Sequence, residues 1–312
     1  MSISRALQLV DEAGLRGYPK PTVGAVVVRD GEVVGEGVTE TNGRHGEVVA
    51  LAEAGERAGG ATLYVTLEPC AHHGTTPPCT DAIAAAGIER VVFAAHDPNP
   101  EAAGGEERLR AAGIDVEFVD WREARVQNEA WRTWVTKGRP FVIYKAAMTL
   151  DGRVTVPGRR WVTGEESRRR VHELRAAVDA VAVGAGTLRA DRPRLDARDV
   201  ETPKGQPRRL VFTRGEPDVG ELEARRGPLA EELSALGAEG VQSLLLEGGP
   251  TLAAAFLAED LVDKVLVFVA PALAGSGGRE ALAALPSPRT LSHLSSTAVG
   301  DDVLLEAYVH DP

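Results

Sequence analysis

The sequence predicts an α/β protein built from two domains, and three observations support that prediction. Strand-like and helix-like segments alternate along most of the chain, which is typical of layered α/β domains. The length of 312 residues exceeds the roughly 100–200 residues of an ordinary single domain. The alternation breaks once, at "WRTWVTKGRP", where Lys137 to Pro140 are predicted to form a linker. We therefore expect domains at residues 1–138 and 139–312.

The first domain is predicted to open with an amphipathic helix over residues 4–13, followed by a hairpin. "VGAVVVRDGEVVGEG" contains two Val-rich strands joined at Asp30-Gly31, a strong hairpin signal. Helices and strands should then alternate, with helices at "EVVALAEAGERAG", "TDAIAAAG" and "GGEERLRAAG" and strands at "ATLYVTL", "RVVFAA" and "IDVEFV".

The second domain is predicted to contain a further α/β series. Its strands are expected at "PFVIYKAAM", "AVDAVAVG", "RRLVFT", "VQSLLLEGG", "LVDKVLVFVAP" and "DVLLEAYV". Thr163 and Glu166 fit a T-x-x-E capping box at the start of the helix between the first two strands. Residues 201–208 and 214–228 are predicted to be surface loops.

Charge and composition argue against several classes of partner. The net charge is −11, whereas a protein that binds nucleic acid or an anionic membrane needs a basic face. No apolar run approaches the ~20 residues of a membrane span, and the N-terminus lacks the layout of a secretory signal. We therefore expect a cytoplasmic protein. In a reducing compartment its two cysteines are a metal or catalytic pair more often than a disulfide.

The two cysteines, Cys70 and Cys79, are candidate metal ligands together with His45. Two thiolates and one imidazole suit zinc, and three protein ligands leave a fourth position open, as in catalytic zinc sites. Glu47, two residues after His45, is placed to move protons beside the metal. The order H-x-E followed by P-C is that of zinc-dependent nucleobase deaminases, although here eight residues separate the cysteines.

Blander interpretations stand beside the catalytic one. His45 and Glu47 could lie on a solvated helix face, and the cysteines could fill a core. A closed structural zinc site is a further alternative, with His72 or His73 as the fourth ligand, but it would leave Glu47 without a purpose.

Several longer stretches resemble one known family, the RibD family of bifunctional riboflavin biosynthesis proteins. "TLEPCAHHGTTPPCTDAI" is similar to the family's zinc loop, and "PTVGAVVVRDGEVVGEG" to its first hairpin. In the second half the resemblance is carried by "YKAAMTLDGRV", "RWVTGEESRRRVHELRAAVDAVAVGAGTLRADRPRL", "LLLEGGPTLAAAFL" and "APALAG". It implies a cytidine-deaminase-like α/β/α domain followed by a dihydrofolate-reductase-like α/β domain.

The resemblance also implies two successive reactions. The first domain would remove an amino group hydrolytically from a diamino-ribosylaminopyrimidinone 5′-phosphate, with Zn²⁺ as cofactor. The second would reduce the ribosyl group to a ribityl chain with NADPH. The implied partner is thus a small phosphorylated pyrimidine rather than a nucleic acid or a membrane, and the family implies a homo-oligomer.

Site residues follow from the same resemblance. His45, Cys70 and Cys79 would hold zinc, Glu47 would be the catalytic proton carrier, and His73 would reach substrate. The residues implied for the cofactor are Ala147, Trp161, Thr187, Asp191, Gly249, Pro250 and Thr251. Those implied for the reductase substrate are Arg175, Leu195, Arg198 and Glu247, with the two arginines as anchors for its phosphate.

The sequence departs from the family pattern at several positions outside the zinc ligands. The departures are Lys20 for a usual Asn, Gly46 for Ala, Thr75 for a basic residue, Arg159 for Ser, and Thr213-Arg214 for Asp-Ser. Gly46 is expected only to loosen the start of its helix, by ~1 kcal/mol. The other departures leave one functional alternative open, a ligand-binding or regulatory protein that retains a structural zinc and an inactive deaminase site.

Overall fold

The computed structural model describes residues 2–73, 77–281, 285 and 287–312, so Thr75 lies outside the described residues. The chain forms two compact units, Met1–Thr136 with Pro312 and Lys137–Asp311. Within the described ranges, no helix combines the length and the apolar character needed to cross a membrane.

The first unit is a five-stranded mixed sheet with helices. Its elements are α1 (Ser2–Ala13), β1 (Gly24–Arg29), β2 (Glu32–Val38), α2 (Gly46–Ala54), β3 (Thr62–Val65), α3 (Cys79–Ala85), β4 (Arg90–Phe93), α4 (Gly105–Ala111), β5 (Asp115–Phe118), α5 (Arg122–Gln127) and α6 (Glu129–Lys137). The strand order is β2-β1-β3-β4-β5. β1 pairs antiparallel with β2 and β3, whereas β3, β4 and β5 are parallel.

The hairpin of β1 and β2 forms where the sequence predicts it. Asp30 and Gly31 have φ values of 50° and 82°, so both residues of the two-residue turn lie in the left-handed region. Such a turn matches the right-handed twist of the flanking strands, and Asp-Gly tolerates it at low cost. The hairpin is therefore fixed by local chemistry.

Helix α2 lies unusually close to this hairpin because glycines face each other. A Cβ at Gly46 would be 2.3 Å from the carbonyl oxygen of Val23, and a Cβ at Gly37 would be 2.2 Å from that of Gly46. The expectation that Gly46 merely loosens the helix start is therefore wrong. Glycine at this position allows the close contact that places His45 and Glu47.

The second unit is an eight-stranded sheet with helices. Its elements are β6 (Phe141–Thr149), α7 (Glu165–Ala177), β7 (Ala180–Gly184), α8 (Ala185–Asp191), β8 (Arg208–Phe212), β9 (Glu223–Arg225), α9 (Leu229–Ala238), β10 (Ser243–Leu246), α10 (Pro250–Ala258), β11 (Lys264–Ala270), β12 (Ser292–Val299) and β13 (Asp302–Tyr308). The strand order is β12-β13-β11-β6-β10-β7-β8-β9. The strands from β11 to β9 are parallel, and β13 is antiparallel to both β11 and β12.

The central strands of this sheet are buried, which explains their apolar sequences. Every residue of β7 and β10 is buried, and apolar side chains of the sheet pack into three clusters. Parallel strands covered on both faces read as continuous apolar runs rather than alternating patterns. The six strands predicted for this half are confirmed.

Two local predictions in this half are wrong. Residues 214–228 contain a strand, β9, that the polar sequence concealed. The N-cap of α7 is Gly164 rather than Thr163, and it makes no side-chain capping bond. Instead, Oδ2 of Asp302, in β13, accepts hydrogen bonds from the Gly164 backbone N–H at 2.8 Å and the Ser167 hydroxyl at 2.6 Å. A carboxylate 138 residues away in sequence thus replaces the local cap.

Candidate functional site

The three predicted metal ligands come together in the first unit. The ligand atoms of His45, Cys70 and Cys79 all lie within 4.8 Å of one another. His45 directly precedes α2, Cys79 is the first residue of α3, and Cys70 lies in the loop after β3. His45 Nδ1 is 3.1 Å from the sulfur of Cys79 and 3.6 Å from that of Cys70. One imidazole nitrogen and two sulfurs at this spacing fit a zinc ion with an open fourth position.

The pKa values of the two thiols are shifted in opposite directions. Contact with the thiol of Cys79 lowers the pKa of Cys70 to about 4, with a further contribution from His45. The same contact, together with burial, raises the pKa of Cys79. Both thiols are free of disulfides. Because thiolates are the metal-binding form, the cluster already favours one of the two deprotonated ligands.

Glu47 is the carboxylate of this site. It is buried, with 3% relative exposure, and burial raises its pKa. Among the described residues, its Oε2 has no hydrogen-bond partner. A buried carboxylate oxygen without a partner is costly, so its presence points to a reactant or water that completes it. This orphan oxygen fits a proton carrier beside a metal better than a structural role.

Glu68 anchors the loop that carries Cys70, and the sequence reasoning missed it. It is buried, and its Oε2 lies 3.1 Å from Nδ1 of His96 and accepts from the Asp97 N–H at 3.3 Å. Its Oε1 accepts from the Glu106 N–H at 3.1 Å. The only signal in the sequence was an acidic residue between a buried strand and Pro69-Cys70.

The two loop histidines and Lys20 differ in their exposure and in what they contact. His73 is exposed, whereas Nδ1 of the partly buried His72 has no partner among the described residues. Contact with Cys70 raises the pKa of His45 overall, and the charge of the exposed Lys20 opposes that shift. Lys20 thus contributes positive charge close to the metal cluster.

In the second unit, Glu247 lies at the centre of a buried charge cluster. Arg175 from α7 donates two hydrogen bonds to it, from Nε to Oε1 at 2.6 Å and from Nη2 to Oε2 at 3.0 Å. Lys145 from β6 is 3.8 Å from Oε2. Burial alone would raise the pKa of Glu247, but Lys145 and Arg175 hold it below its ordinary value. Sequence reasoning missed Lys145, although a lysine inside a buried strand was a visible signal.

Arg198 and Leu195 lie together in the loop after α8. Leu195 is buried despite a φ of 58°, which is uncommon for a branched side chain and shows that the loop is held firmly. Arg198 Nη1 donates to Asp196 Oδ1 at 2.5 Å, and Arg194 pairs with Oδ2 of Asp196 at 2.6 Å. The Arg198 side chain is 40% exposed, so an anion can reach it.

Two of the residues implied for the cofactor are close neighbours. Gly249 is the N-cap of α10, and a Cβ there would be 3.0 Å from the Thr187 hydroxyl in α8. Pro250 is the first residue of α10, as is common at helix starts. A helix start with glycine at its cap offers backbone N–H groups to a phosphate.

The other implied cofactor residues are spread over separate elements. Ala147 lies on the same face of β6 as Lys145, because strand residues two apart share a face. Trp161 is 55% exposed, and the guanidinium groups of Arg160 and Arg168 are 5.0 and 5.5 Å from its ring. Asp191 ends α8, and both it and Thr251 in α10 are exposed.

Comparison with protein families divides the chain in the same order. Residues 2–95 match the model of the cytidine and deoxycytidylate deaminase zinc-binding region, and residues 140–305 match that of the RibD C-terminal domain. Among curated proteins, the chain is 43% identical to riboflavin biosynthesis protein RibD of Aquifex aeolicus, with 83% of each protein covered. It is 38% identical to RibD of Escherichia coli, with 93% of this chain and 92% of the relative covered.

Solved structures extend the similarity to the whole fold. RibD of Acinetobacter baumannii is 33% identical and aligns with a TM-score of 0.84, covering 98% of this chain and 97% of that one. A diaminohydroxyphosphoribosylaminopyrimidine deaminase/5-amino-6-(5-phosphoribosylamino)uracil reductase from Thermotoga maritima is 34% identical, with the same TM-score of 0.84 and the same coverage. The similarity therefore includes both units.

Proposed function

The chain belongs to the RibD family of riboflavin biosynthesis proteins, and from that membership we propose which of its residues carry each of two reactions. It is a bifunctional enzyme, a zinc-dependent deaminase joined to an NADPH-dependent reductase. We assign deamination to residues 1–138 and reduction to residues 139–312. Support for this division comes from the break between the compact units near residue 137.

Deamination is assigned to His45, Cys70, Cys79 and Glu47. The observation that carries this assignment is the orphan Oε2 of Glu47 in the same buried site as three converging zinc ligands. Zinc would supply the Lewis acidity that makes water nucleophilic near neutral pH. The raised pKa of Glu47 suits a group that accepts a proton at Oε2 from the attacking water and returns it to the departing amine.

Reduction is assigned to the sites around Gly249 and Glu247. NADPH carries the hydride, so the protein supplies position and electrostatics. We place the cofactor along Ala147, Trp161, Thr187, Asp191, Gly249, Pro250 and Thr251. The approach of Thr187 to Gly249 at the start of α10 supports a cofactor phosphate there.

The substrate side of the reductase site is assigned to Arg175, Leu195, Arg198 and Glu247. Because both edges of the Arg175 guanidinium are occupied by Glu247 and the Asp196 carbonyl, we assign Arg175 to holding Glu247 in position. Arg198 retains an exposed edge, so we assign the substrate phosphate to it. A guanidinium binds phosphate through paired N–H donors.

The substrate class is a small phosphorylated pyrimidine, as the family implies. We propose the diamino-ribosylaminopyrimidinone 5′-phosphate itself, with His73 at the deaminase entrance. A homo-oligomer in the cytoplasm remains our expectation. The free thiols of Cys70 and Cys79 suit a reducing compartment.

A two-step assay with metal analysis tests this proposal. We expect about one zinc per chain, release of ammonia from the pyrimidinone phosphate, and oxidation of NADPH only after that release. The control is the same protein after zinc chelation, supplied with the deaminated substrate, which should still consume NADPH. Ligand binding without ammonia release or NADPH consumption would contradict the enzyme assignment at these residues.

A further inference from the structure

His172, on α7, faces Arg198 with both of its ring nitrogens. The backbone N–H of Arg198 points at Nδ1, with 3.2 Å between the nitrogens, and Nη2 of Arg198 is 3.4 Å from Nε2. A neutral imidazole has one acceptor nitrogen and one N–H donor. The two contacts therefore cannot both be hydrogen bonds. In one of them, two N–H donors face each other.

The backbone contact decides which nitrogen accepts. Both groups of Arg198 can only donate, but its backbone N–H is fixed in place and closer to the ring, at 3.2 Å against 3.4 Å for the exposed guanidinium. We therefore assign Nδ1 as the acceptor and place the ring proton on Nε2. Burial and the charges of Arg175 and Arg198 lower the pKa of His172, which favours the neutral form, while the backbone and the carboxylate of Asp196 act in the opposite direction. The N–H of Nε2 thus lies beside the N–H groups of Arg198 Nη2, with 3.4 Å between the nitrogens.

Two adjacent donors can bind one shared acceptor. The other end of the Arg198 guanidinium, Nη1, is held by Asp196, which leaves Nη2 and Nε2 as the donor pair. Arg198 is the more exposed member of its ion pair, at 40% against 13% for Asp196. An incoming oxyanion can therefore meet both donors at once, as phosphate oxygens do at sites with clustered N–H groups.

We propose that His172 is a second ligand of the substrate phosphate, donating its Nε2–H to the phosphoryl group that Arg198 binds. The inference rests on the proposed assignment of Arg198 to that phosphate. It adds a specificity-determining residue to the reductase site. The neutral ring contributes a directed hydrogen bond, and Arg198 contributes the charge.

Two substitutions separate this role from simple support of the loop. His172→Asn keeps an acceptor near the position of Nδ1 but loses the distal donor. His172→Gln can place an amide N–H near the position of Nε2 but loses the proximal acceptor. The measurements are KM and kcat for NADPH-dependent reduction of the phosphorylated substrate and of its dephosphorylated form.

We expect His172→Asn to raise KM for the phosphorylated substrate about tenfold or more, with kcat changed less than threefold. KM for the dephosphorylated substrate should stay as in the wild type, and His172→Gln should recover most of the lost discrimination. The reverse pattern, a normal His172→Asn and an impaired His172→Gln, would show that the ring only supports the Arg198 backbone and would overturn the inference.

Arg198→Ala distinguishes failure of this inference from failure of the phosphate assignment beneath it. If Arg198→Ala raises KM only for the phosphorylated substrate and His172→Asn does not, the proposed role of His172 is wrong but the phosphate assignment to Arg198 stands. If neither variant discriminates, the phosphate site itself is misplaced.

A measurement on the wild-type protein covers the case in which the histidine variants do not fold. Imidazole NMR during titration with ribose 5-phosphate should shift one Nε2–H resonance of a neutral histidine. A titration that leaves every histidine resonance unmoved at saturating ribose 5-phosphate would contradict the inference.

Discussion

Two buried carboxylates, Glu47 in the deaminase site and Asp263 just before β11 in the second unit, are held in opposite ways. Glu47 and Asp263 have relative exposures of 3% and 1%, so burial pushes the pKa of both upward. For Glu47 burial prevails, and the pKa is raised. For Asp263, hydrogen bonds from His310 and Arg139 prevail over burial, and the pKa is lowered. Depth alone therefore does not determine the charge of a buried acid, because its partners do.

This difference separates reactive groups from scaffold. Asp263 is saturated, with Arg139 at 2.7 and 2.9 Å, His310 at 3.2 Å and the Val142 N–H at 2.8 Å. Glu47 keeps an oxygen without a partner in the part of the chain that the structure describes. An unmet buried acceptor indicates a place for a reactant, and a fully paired one holds elements together. In the second unit, we propose that the N–H donors of His172 and Arg198 likewise await an acceptor from the substrate.

The largest effect should come from Glu47→Gln, which tests whether the unpaired acid is the reactive one. Gln is close in shape but cannot carry a proton, so ammonia release should fall by about 10²- to 10⁴-fold. Zinc content and NADPH oxidation on deaminated substrate should be unchanged. Glu56→Gln, in the exposed turn after α2, serves as the matched control and should behave as the wild type. Loss of zinc together with activity would instead make Glu47 a ligand.

Asp263→Asn tests the scaffold side of the comparison. It leaves Arg139 without its buried counter-charge, so the free energy of unfolding of the second unit should fall by about 3 kcal/mol at pH 7. Hydrogen exchange of β6 and β11 amides measures this loss. The exposed Glu280, which pairs with Arg153 at 3.1 Å, provides the control, and Glu280→Gln should change stability by less than about 0.5 kcal/mol.

The same variant has a predicted pH dependence. The folded pKa of Asp263 is depressed, so its stabilisation is present above the unfolded pKa of about 4 and is lost as pH falls further. The difference between wild type and Asp263→Asn should therefore shrink below about pH 4. A difference that stays constant down to pH 2 would mean that Asp263 does not titrate with folding.

Arg198→Ala should have an intermediate effect. It tests whether the unpaired donors in the second unit bind the substrate phosphate. Loss of a charge-assisted contact of roughly 1.5–3 kcal/mol should raise KM for the phosphorylated substrate about 10- to 150-fold. NADPH binding and ammonia release should change little. Arg194→Ala is the matched control, because Arg194 binds the other oxygen of Asp196 without facing His172. An equal loss for the dephosphorylated substrate would rule out a phosphate role for Arg198.

The smallest effect is expected from Asp302→Ala, which removes the remote cap of α7. Cap losses typically destabilise by about 1–2 kcal/mol, and the buried Ser167 hydroxyl would also lose its acceptor. Thr163→Ala should stay within about 0.5 kcal/mol, because Thr163 does not cap this helix. Thermal unfolding of both variants gives the comparison. Equal destabilisation by the two changes would indicate that Thr163 does cap α7, contrary to the structure.

The features that could be predicted from sequence either depend on a few neighbouring residues or need chemistry that few residue types supply. Asp30-Gly31 fixes its hairpin within two residues, and His45, Cys70 and Cys79 were found because few residue types suit zinc. The missed features depend on distant partners. Glu68 meets a backbone N–H 38 residues away, and Arg175 meets Glu247 at a separation of 72 residues. No local pattern encodes such pairs, so the sequence predicted Arg175 as a phosphate anchor without its ion pair to Glu247.

The position of β6 has a consequence for how the chain is made. It is the first strand of the second unit, but it pairs with β10 on one edge and β11 on the other, as in Phe141 with Ser243 and Ile143 with Lys264. Its partners leave the ribosome roughly 100 residues later, a delay of about 5–20 s at ordinary synthesis rates. During that interval both edges of an apolar strand are open, whereas the first unit already has all its strands. Chaperone binding to nascent chains should therefore concentrate on the segment that follows α6.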